Sequence, residues 1–251
     1  MCGRYTLANT EDLFARFQVE VQDLDLAPRY NVAPDQVMPV VVREEANRLE
    51  RMQWGLIPSW SKEPKSLAIN ARIEGILTKP SFRGPIRRHR GLIPATGFFE
   101  WKKEPAGQVP YYIRQKDGGL FAFAGIFDTW QAPDGEAVKT FAIVTTAPNS
   151  LLAHVHNRMP VILEPAQEAE WLDTKATDIA RFLGSLQPFP PDQLEMYPVF
   201  RKINWARNDS PDWILKWELP ISTFVRPAPA PGSGRYRKSP AILEKRPAKT
   251  C

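Results

Sequence analysis

The chain opens Met-Cys-Gly-Arg-Tyr-Thr, and its second residue, Cys2, is the first side chain that could do unusual chemistry. Initiator methionine is normally removed when the next residue is small, and cysteine qualifies. The processed chain would then present an α-amine and a thiol on adjacent carbons. The amine titrates near ~8 and the thiol near ~8.5, so both have nucleophilic fractions at neutral pH. An aldehyde condenses with such an amine to an imine, and the neighbouring thiol closes the imine to a five-membered thiazolidine. A lone cysteine is more often a small buried apolar residue, so Cys2 needs partners.

Four stretches supply them. "INAR" (69–72) sets Asn70 and Arg72 on one side of an extended segment. "GFFEWKK" (97–103) puts Glu100 beside Trp101 near the end of an apolar strand. "TTAPN" (145–149) has the hydroxyl of Thr145 leaving a strand, and "HVHNRMPVIL" (154–163) carries His156 and Arg158 as another begins. Taken singly, Glu100 reads as one half of a surface ion pair, His156 as a loop hydrogen-bonding group and Trp101 as core.

The elements that must position these residues read as short strands. Candidates are 37–42, 48–56, 91–101, 111–115, 120–130, 139–147, 158–163 and 194–200, with turn signals such as "KDGG" and "APDG" between some of them. A helix is expected at 9–18, capped by Asn9 or Thr10 and buried through Leu13, Phe14 and Phe17. Two more are expected at 165–173, with Pro165 in its first turn, and at 174–183. The high proline content, 25 of 251 residues, favours short strands and ordered loops over long helices. No internal repeat is found. The fold expected is α+β: a single β-rich domain of mainly antiparallel strands with short flanking helices. The domain is placed at 2–225. Residues 226–251 are rich in Pro, Gly, Ser and basic side chains and read as a disordered basic tail.

Net charge is +5, with basic residues concentrated in "RGPIRRHR" (83–90) and in the tail. Such patches suit a polyanion or simply a soluble surface. Two cysteines at the chain's extremes cannot build a disulfide framework, and with three histidines they make a poor metal set. No metal or other cofactor is expected. Nothing reads as a signal peptide or a membrane span, so the expected setting is reduced and cytoplasmic.

The motifs "MCGRY", "YNVAP", "WGLIPSW", "INAR", "KPSFR", "GFFEWKK" and "HNRMPVIL", in this order, resemble the SOS response-associated peptidase family over about residues 2–220. The resemblance implies that Met1 is removed by autoprocessing and that Cys2 traps the ring-opened aldehyde of an abasic site in single-stranded DNA as a thiazolidine crosslink, with a possible lyase-type activity. It implies a monomer that associates with the nucleoid when bound to DNA. It implies catalytic roles for Cys2, Asn70, Glu100 and His156, and DNA contacts from Arg4, Trp60, Arg72, Trp101, Thr145 and Arg158. Some relatives carry an arginine about ten residues after the asparagine; this chain has Pro80 there, with Lys79 and Arg83 nearby as substitutes. Two rivals use the same residues. An N-terminal-cysteine amidohydrolase or peptidase would need an acyl intermediate and an oxyanion hole. A single-strand binding module, in which Cys2 only packs, would not distinguish abasic from intact DNA.

Overall fold

The structure is a computed structural model, and it describes residues 2–20, 26–63, 67–175 and 178–217. The chain divides into two units, Met1–Glu218 and Leu219–Cys251. The second unit, and with it the expected tail, lies outside the described residues. In chain order the elements are β1 (Tyr5–Leu7), α1 (Leu13–Arg16), β2 (Arg29–Val32), β3 (Val37–Arg43), β4 (Asn47–Trp54) and β5 (Asn70–Arg72). There follow α2 (Pro85–Arg88), β6 (Arg90–Ala95), β7 (Gly97–Glu104), β8 (Gly107–Gln115), β9 (Phe121–Gln131) and β10 (Ala137–Thr146). The series closes with β11 (Met159–Pro160), β12 (Ile162–Leu163), α3 (Pro165–Leu172), α4 (Ile179–Ser185) and β13 (Leu194–Pro198).

The strands form two sheets. One has five strands in the order β13-β8-β7-β1-β2, all antiparallel. The other has eight, along the path β11-β10-β4-β3-β6-β9-β12. Within it β9 also pairs with β10, so β10, β4, β3, β6 and β9 close on themselves as a small barrel, and β5 runs parallel to β10 outside that path. The expected β-rich α+β fold with short helices is therefore what the chain adopts. β9 and β10 are longer than the proline content suggests, because neither contains a proline and every rung of their ladder can donate.

Alternation along β7 connects the sheets. Phe98 faces the core between them, where its ring meets Phe123 at 5.8 Å. Tyr5 of β1 meets Trp54 at 5.2 Å and Phe123 at 6.0 Å in the same core. Phe99, one residue on, faces the other way and packs with Tyr112, Val199, Ile203 and Trp101 in a second cluster. Period two then carries Glu100 to the face of Phe98 and Trp101 to the face of Phe99.

Three local expectations are corrected. The run 91–101 is two strands in different sheets, β6 and β7, broken at Thr96. There the Thr96 amide donates to Thr6 O (2.8 Å) and its hydroxyl shares a 2.8 Å bond with that of Thr6. A Cβ at the next residue, Gly97, would collide with the Tyr112 hydroxyl, so the chain can turn between sheets only with glycine there. The first helix is shorter than 9–18: neither Asn9 nor Thr10 caps it, and Gln18 enters the left-handed region at φ 51° just beyond it. The last helix starts at Ile179 and is capped by Asp178, whose side chain accepts from the Arg181 amide at 2.8 Å. The Pro165 helix forms where expected, with a capping box between Glu164 and Gln167.

Candidate active site

Cys2 is fully buried, three residues ahead of β1. Two hydrogen bonds fix it: the Asn70 Nδ2 donates to its carbonyl at 2.9 Å, and its thiol donates to Arg4 O at 3.7 Å. The Arg4 carbonyl also accepts from the Phe99 amide at 3.0 Å, which binds this N-terminal segment to β7 one residue before Glu100. Burial pushes the Cys2 thiol well above its ordinary value, and the charge of Glu100 adds to the effect. The thiol and this carboxyl therefore lie within electrostatic reach of each other.

Glu100 is 2% exposed because β7's alternation turns it towards the inter-sheet core. Burial disfavours its charged form and raises its pKa to about 7. A carboxyl that ordinarily stays ionised is thereby poised to give and take protons at neutral pH.

Asn70 and the histidine reach the site through β10. Asn70 pairs with Ile143 and Arg72 with Thr145 on the β5 side of that strand, while β11 pairs Pro160 with Thr145 on another side. The Asn70 Oδ1 is buried and has no hydrogen-bond partner among the described residues. His156 follows a short 3-10 turn at Leu152–His154, and its Nδ1 accepts from the Arg158 amide at 3.0 Å. That donor places the proton of the neutral ring on Nε2. Burial lowers the His156 pKa, and the positive charges of Lys103 at the end of β7 and of Arg158 push the same way. Cys2, Asn70 and Glu100 are thus brought together from three separate stretches, while His156 lies within electrostatic reach of Lys103 at the end of β7 and of Arg158.

The residues expected at DNA divide into three groups. Trp60 (65% exposed) and Arg72 stand open, and Arg72 has no ion-pair partner among the described residues. Arg4 and Trp101 are held by the segment after β13: Arg4 donates to Ile203 O (3.4 Å) and Asn204 O (3.5 Å), and the Trp101 ring nitrogen donates to Asn204 Oδ1 (2.7 Å). Arg158 is engaged by Glu74, at 2.5 and 3.0 Å, and donates to Thr145 O at 2.6 Å, so the fully buried Thr145 meets this guanidinium.

Sequence reasoning missed Glu74, Asn31, Asn204 and Asp209. Asn31 donates to the carbonyls of Ile203, Trp205 and Asn208, and Asp209 accepts from the amides of Tyr30 and Asn31. These bonds hold the 201–209 segment that in turn holds Arg4 and Trp101. Among the described residues no cluster of His, Cys, Asp and Glu could hold a metal ion, and no helix is long and apolar enough to cross a membrane.

The seven motifs that carry the resemblance are matched by the family model described as SOS response associated peptidase, which covers residues 1–206. The chain belongs to that family. Within it, the chain is 41% identical to the abasic site processing protein YoqW of Bacillus subtilis over 221 residues, covering 85% of this chain and 99% of the relative. It is 32% identical to the abasic site processing protein YedK of Escherichia coli over 223 residues, covering 85% and 99%. A solved protein from Bacteroides thetaiotaomicron shares the fold with a TM-score of 0.79 at 30% identity, covering 86% of this chain and all of that one.

Proposed function

We propose that this SOS response-associated peptidase family member processes abasic sites in single-stranded DNA by covalent capture on Cys2. The observation that carries the reading is the pairing of a main-chain-anchored Cys2 with a buried Glu100 whose pKa is about 7. Removal of Met1, by autoprocessing, exposes the α-amine. The amine attacks the aldehyde of the ring-opened sugar, giving a carbinolamine; loss of water gives the imine. The thiol then adds across the C=N bond, its proton goes to nitrogen, and the thiazolidine closes. The net change is one water released and no redox equivalent consumed.

Each proton in that sequence has a nearby carrier. The Glu100 carboxylate takes the proton that leaves the ammonium group, and the acid form returns it to the departing hydroxyl. It repeats the cycle between thiol and ring nitrogen, which matters here because burial holds the thiol protonated. His156, with its proton on Nε2, serves the opening of the sugar at its ring oxygen and hydroxyl. Asn70 fixes Cys2 through Nδ2 and leaves Oδ1 as an acceptor for the amine or the sugar. Arg72, Arg4 and Arg158 suit phosphates and Trp60 and Trp101 suit stacked bases.

The test is intact mass spectrometry of the purified protein with and without an oligonucleotide carrying one abasic site. The expected result is a chain lacking Met1 and, with DNA, a species equal to protein plus oligonucleotide minus one water. A protein that keeps Met1 and still forms that species without reductant refutes the aminothiol mechanism.

A further inference from the structure

Tyr5 carries a titratable group that the reaction at Cys2 leaves unassigned. The side chain is fully buried, and its hydroxyl has no hydrogen-bond partner among the described residues. A buried hydroxyl left unpaired costs stability that a phenylalanine would not lose. Tyr112, a buried tyrosine of β8 in the same sheet, shows the usual solution: its hydroxyl is bonded to that of Thr6 at 2.9 Å.

The fold holds the Tyr5 phenol among the groups of the candidate site. β1 pairs Tyr5 with Phe98, so both side chains take the face of the sheet that Glu100 occupies two residues further along β7. Across the core the Tyr5 ring meets Trp54 edge-on, at 5.2 Å and 68°. The Trp54 ring nitrogen in turn donates to Ile69 O at 2.9 Å, the carbonyl next to Asn70. Phe123 closes another side of the ring at 6.0 Å and 89°. Cys2 lies in the same core cluster as these rings. Burial first, and the charge of Cys2 second, push the Tyr5 pKa well up, with Arg29 opposing them. The phenol therefore keeps its proton, lies within electrostatic reach of the thiol and has a hydrogen to give.

Ring closure needs such a donor. Burial pushes the Cys2 thiol so high that its thiolate does not form unaided. The resting sulfur donates to Arg4 O at 3.7 Å. Once its proton leaves, that bond is lost and the carbonyl oxygen faces a negative sulfur.

We propose that Tyr5 is a further catalytic residue of the ring closure: its hydroxyl donates to Cys2 Sγ as the thiolate develops and attacks the imine carbon. The inference rests on the proposed function and deepens it at one atom. The thiol proton passes to the Glu100 carboxylate, and the S–C bond forms. The electrons of the C=N double bond move to nitrogen, which takes the proton from the Glu100 acid. Tyr5 keeps its own proton throughout, and no redox equivalent is consumed. The earlier imine step uses the amine and does not involve Tyr5.

The experiment compares wild type with Tyr5→Phe, which keeps the ring and its contacts to Trp54 and Phe123. Each protein is mixed at saturation with an oligonucleotide carrying one abasic site, and portions are quenched over time with and without borohydride. Adduct that needs borohydride reports the imine, and adduct stable without it reports the thiazolidine. The variant should form the imine at the wild-type rate but close the ring about ten- to a hundredfold more slowly, the effect of one hydrogen bond to a charged group. The reducible species should then accumulate, with no fall in DNA affinity or melting temperature, because only an unpaired hydroxyl is removed. Alkylation by iodoacetamide in a Cys251→Ser background, where Cys2 is the one remaining cysteine, reads the sulfur without any aldehyde. There the variant should react at least about fivefold more slowly, whereas a hydroxyl that only packs would leave the rate unchanged or, by loosening the core, raise it. Equal rates of ring closure in the two proteins overturn the proposal. So does equal slowing of imine and ring, or alkylation as fast in the variant as in the wild type. Failure of the wild type to form any adduct counts against the Cys2 reading, and the alkylation rates then decide by themselves whether Tyr5 serves the sulfur.

Discussion

Glu100→Gln should make the protein more stable at neutral and alkaline pH while making it a poorer crosslinker. The carboxyl is nearly inaccessible, and burial lifts its pKa from the ordinary 4.5 to about 7. Between those values the folded protein binds a proton that the unfolded chain has released. The contribution of Glu100 to stability is therefore complete below pH 4.5, declines as pH rises, and is lost once pH passes about 7. At about 1.4 kcal/mol for each pH unit between the two values, the loss is on the order of 3 kcal/mol. Glutamine keeps the shape and cannot ionise. Urea denaturation of wild type and variant at several pH values should thus show equal stability near pH 4 and a gap opening in the variant's favour to about 3 kcal/mol at pH 8. Over the same range, the variant's rate of adduct formation at saturating DNA should fall by about a hundredfold, the lower end of what a positioned proton carrier supplies. Parallel stability curves with no pH-dependent gap would show that Glu100 is not held as a desolvated acid, and the proton-shuttle role would fall with it.

Cys2→Ala should abolish the adduct that survives heat and detergent, while an imine from the remaining amine is still trapped by borohydride; an equally stable adduct without reductant would place the bond elsewhere. Glu74→Gln should release Arg158, raising affinity for single-stranded DNA by up to about fivefold, the upper limit for an exposed ion pair, and steepening the salt slope by ~0.7. Unchanged affinity and slope would mean that Arg158 does not meet phosphate. Trp60→Ala should cost at least about fivefold in affinity with no change in melting temperature, since the ring is 65% exposed. Trp101→Ala should lower the melting temperature as well, because it removes the bond to Asn204 and part of the second cluster; equal thermal effects of the two would contradict that distinction.

The candidate site was legible in the sequence in so far as Cys2, Asn70 and Glu100, which the fold brings together, each stand in a compact, unusual motif. Cys2, Asn70, Glu100 and His156 could be named before any geometry, and the alternation of "GFFEW" already turned Glu100 to the side of Phe98. The break within 91–101 was also written, in Pro94, Thr96 and Gly97, but an apolar run hides a change of sheet when the hydrogen bonds at its break go to Thr6, ninety positions away. Glu74 was illegible for a different reason: an acid two residues after Arg72 reads as that arginine's neighbour, whereas its carboxylate reaches Arg158. The 201–209 segment has no periodic apolar pattern; the Asn31 side chain on β2 fastens it through its carbonyls, and its Asp209 side chain accepts from the β2 amides. Position along the chain carries no trace of such bonds. The basic run 83–90 read as one patch, and only the fold separates Arg90, buried and donating to the carbonyls of Ile86, Arg87, Trp171 and Asp173, from the exposed Arg83, Arg87 and Arg88.

The five-stranded sheet places β1 between β7 and β2, so the segment beginning at Cys2 enters the protein as an interior strand. A nucleic acid joined to that residue would hang from a tether anchored inside the sheet. Tension along the DNA, from a polymerase or helicase running into the adduct, would load the hydrogen bonds of β1 to both neighbours and the aromatic contacts of Tyr5 behind them. Detachment by force would then require extraction of a central strand, and with it the collapse of the core. The attachment should resist traction as long as the domain stays folded, and it should yield to an unfoldase that pulls from elsewhere in the chain.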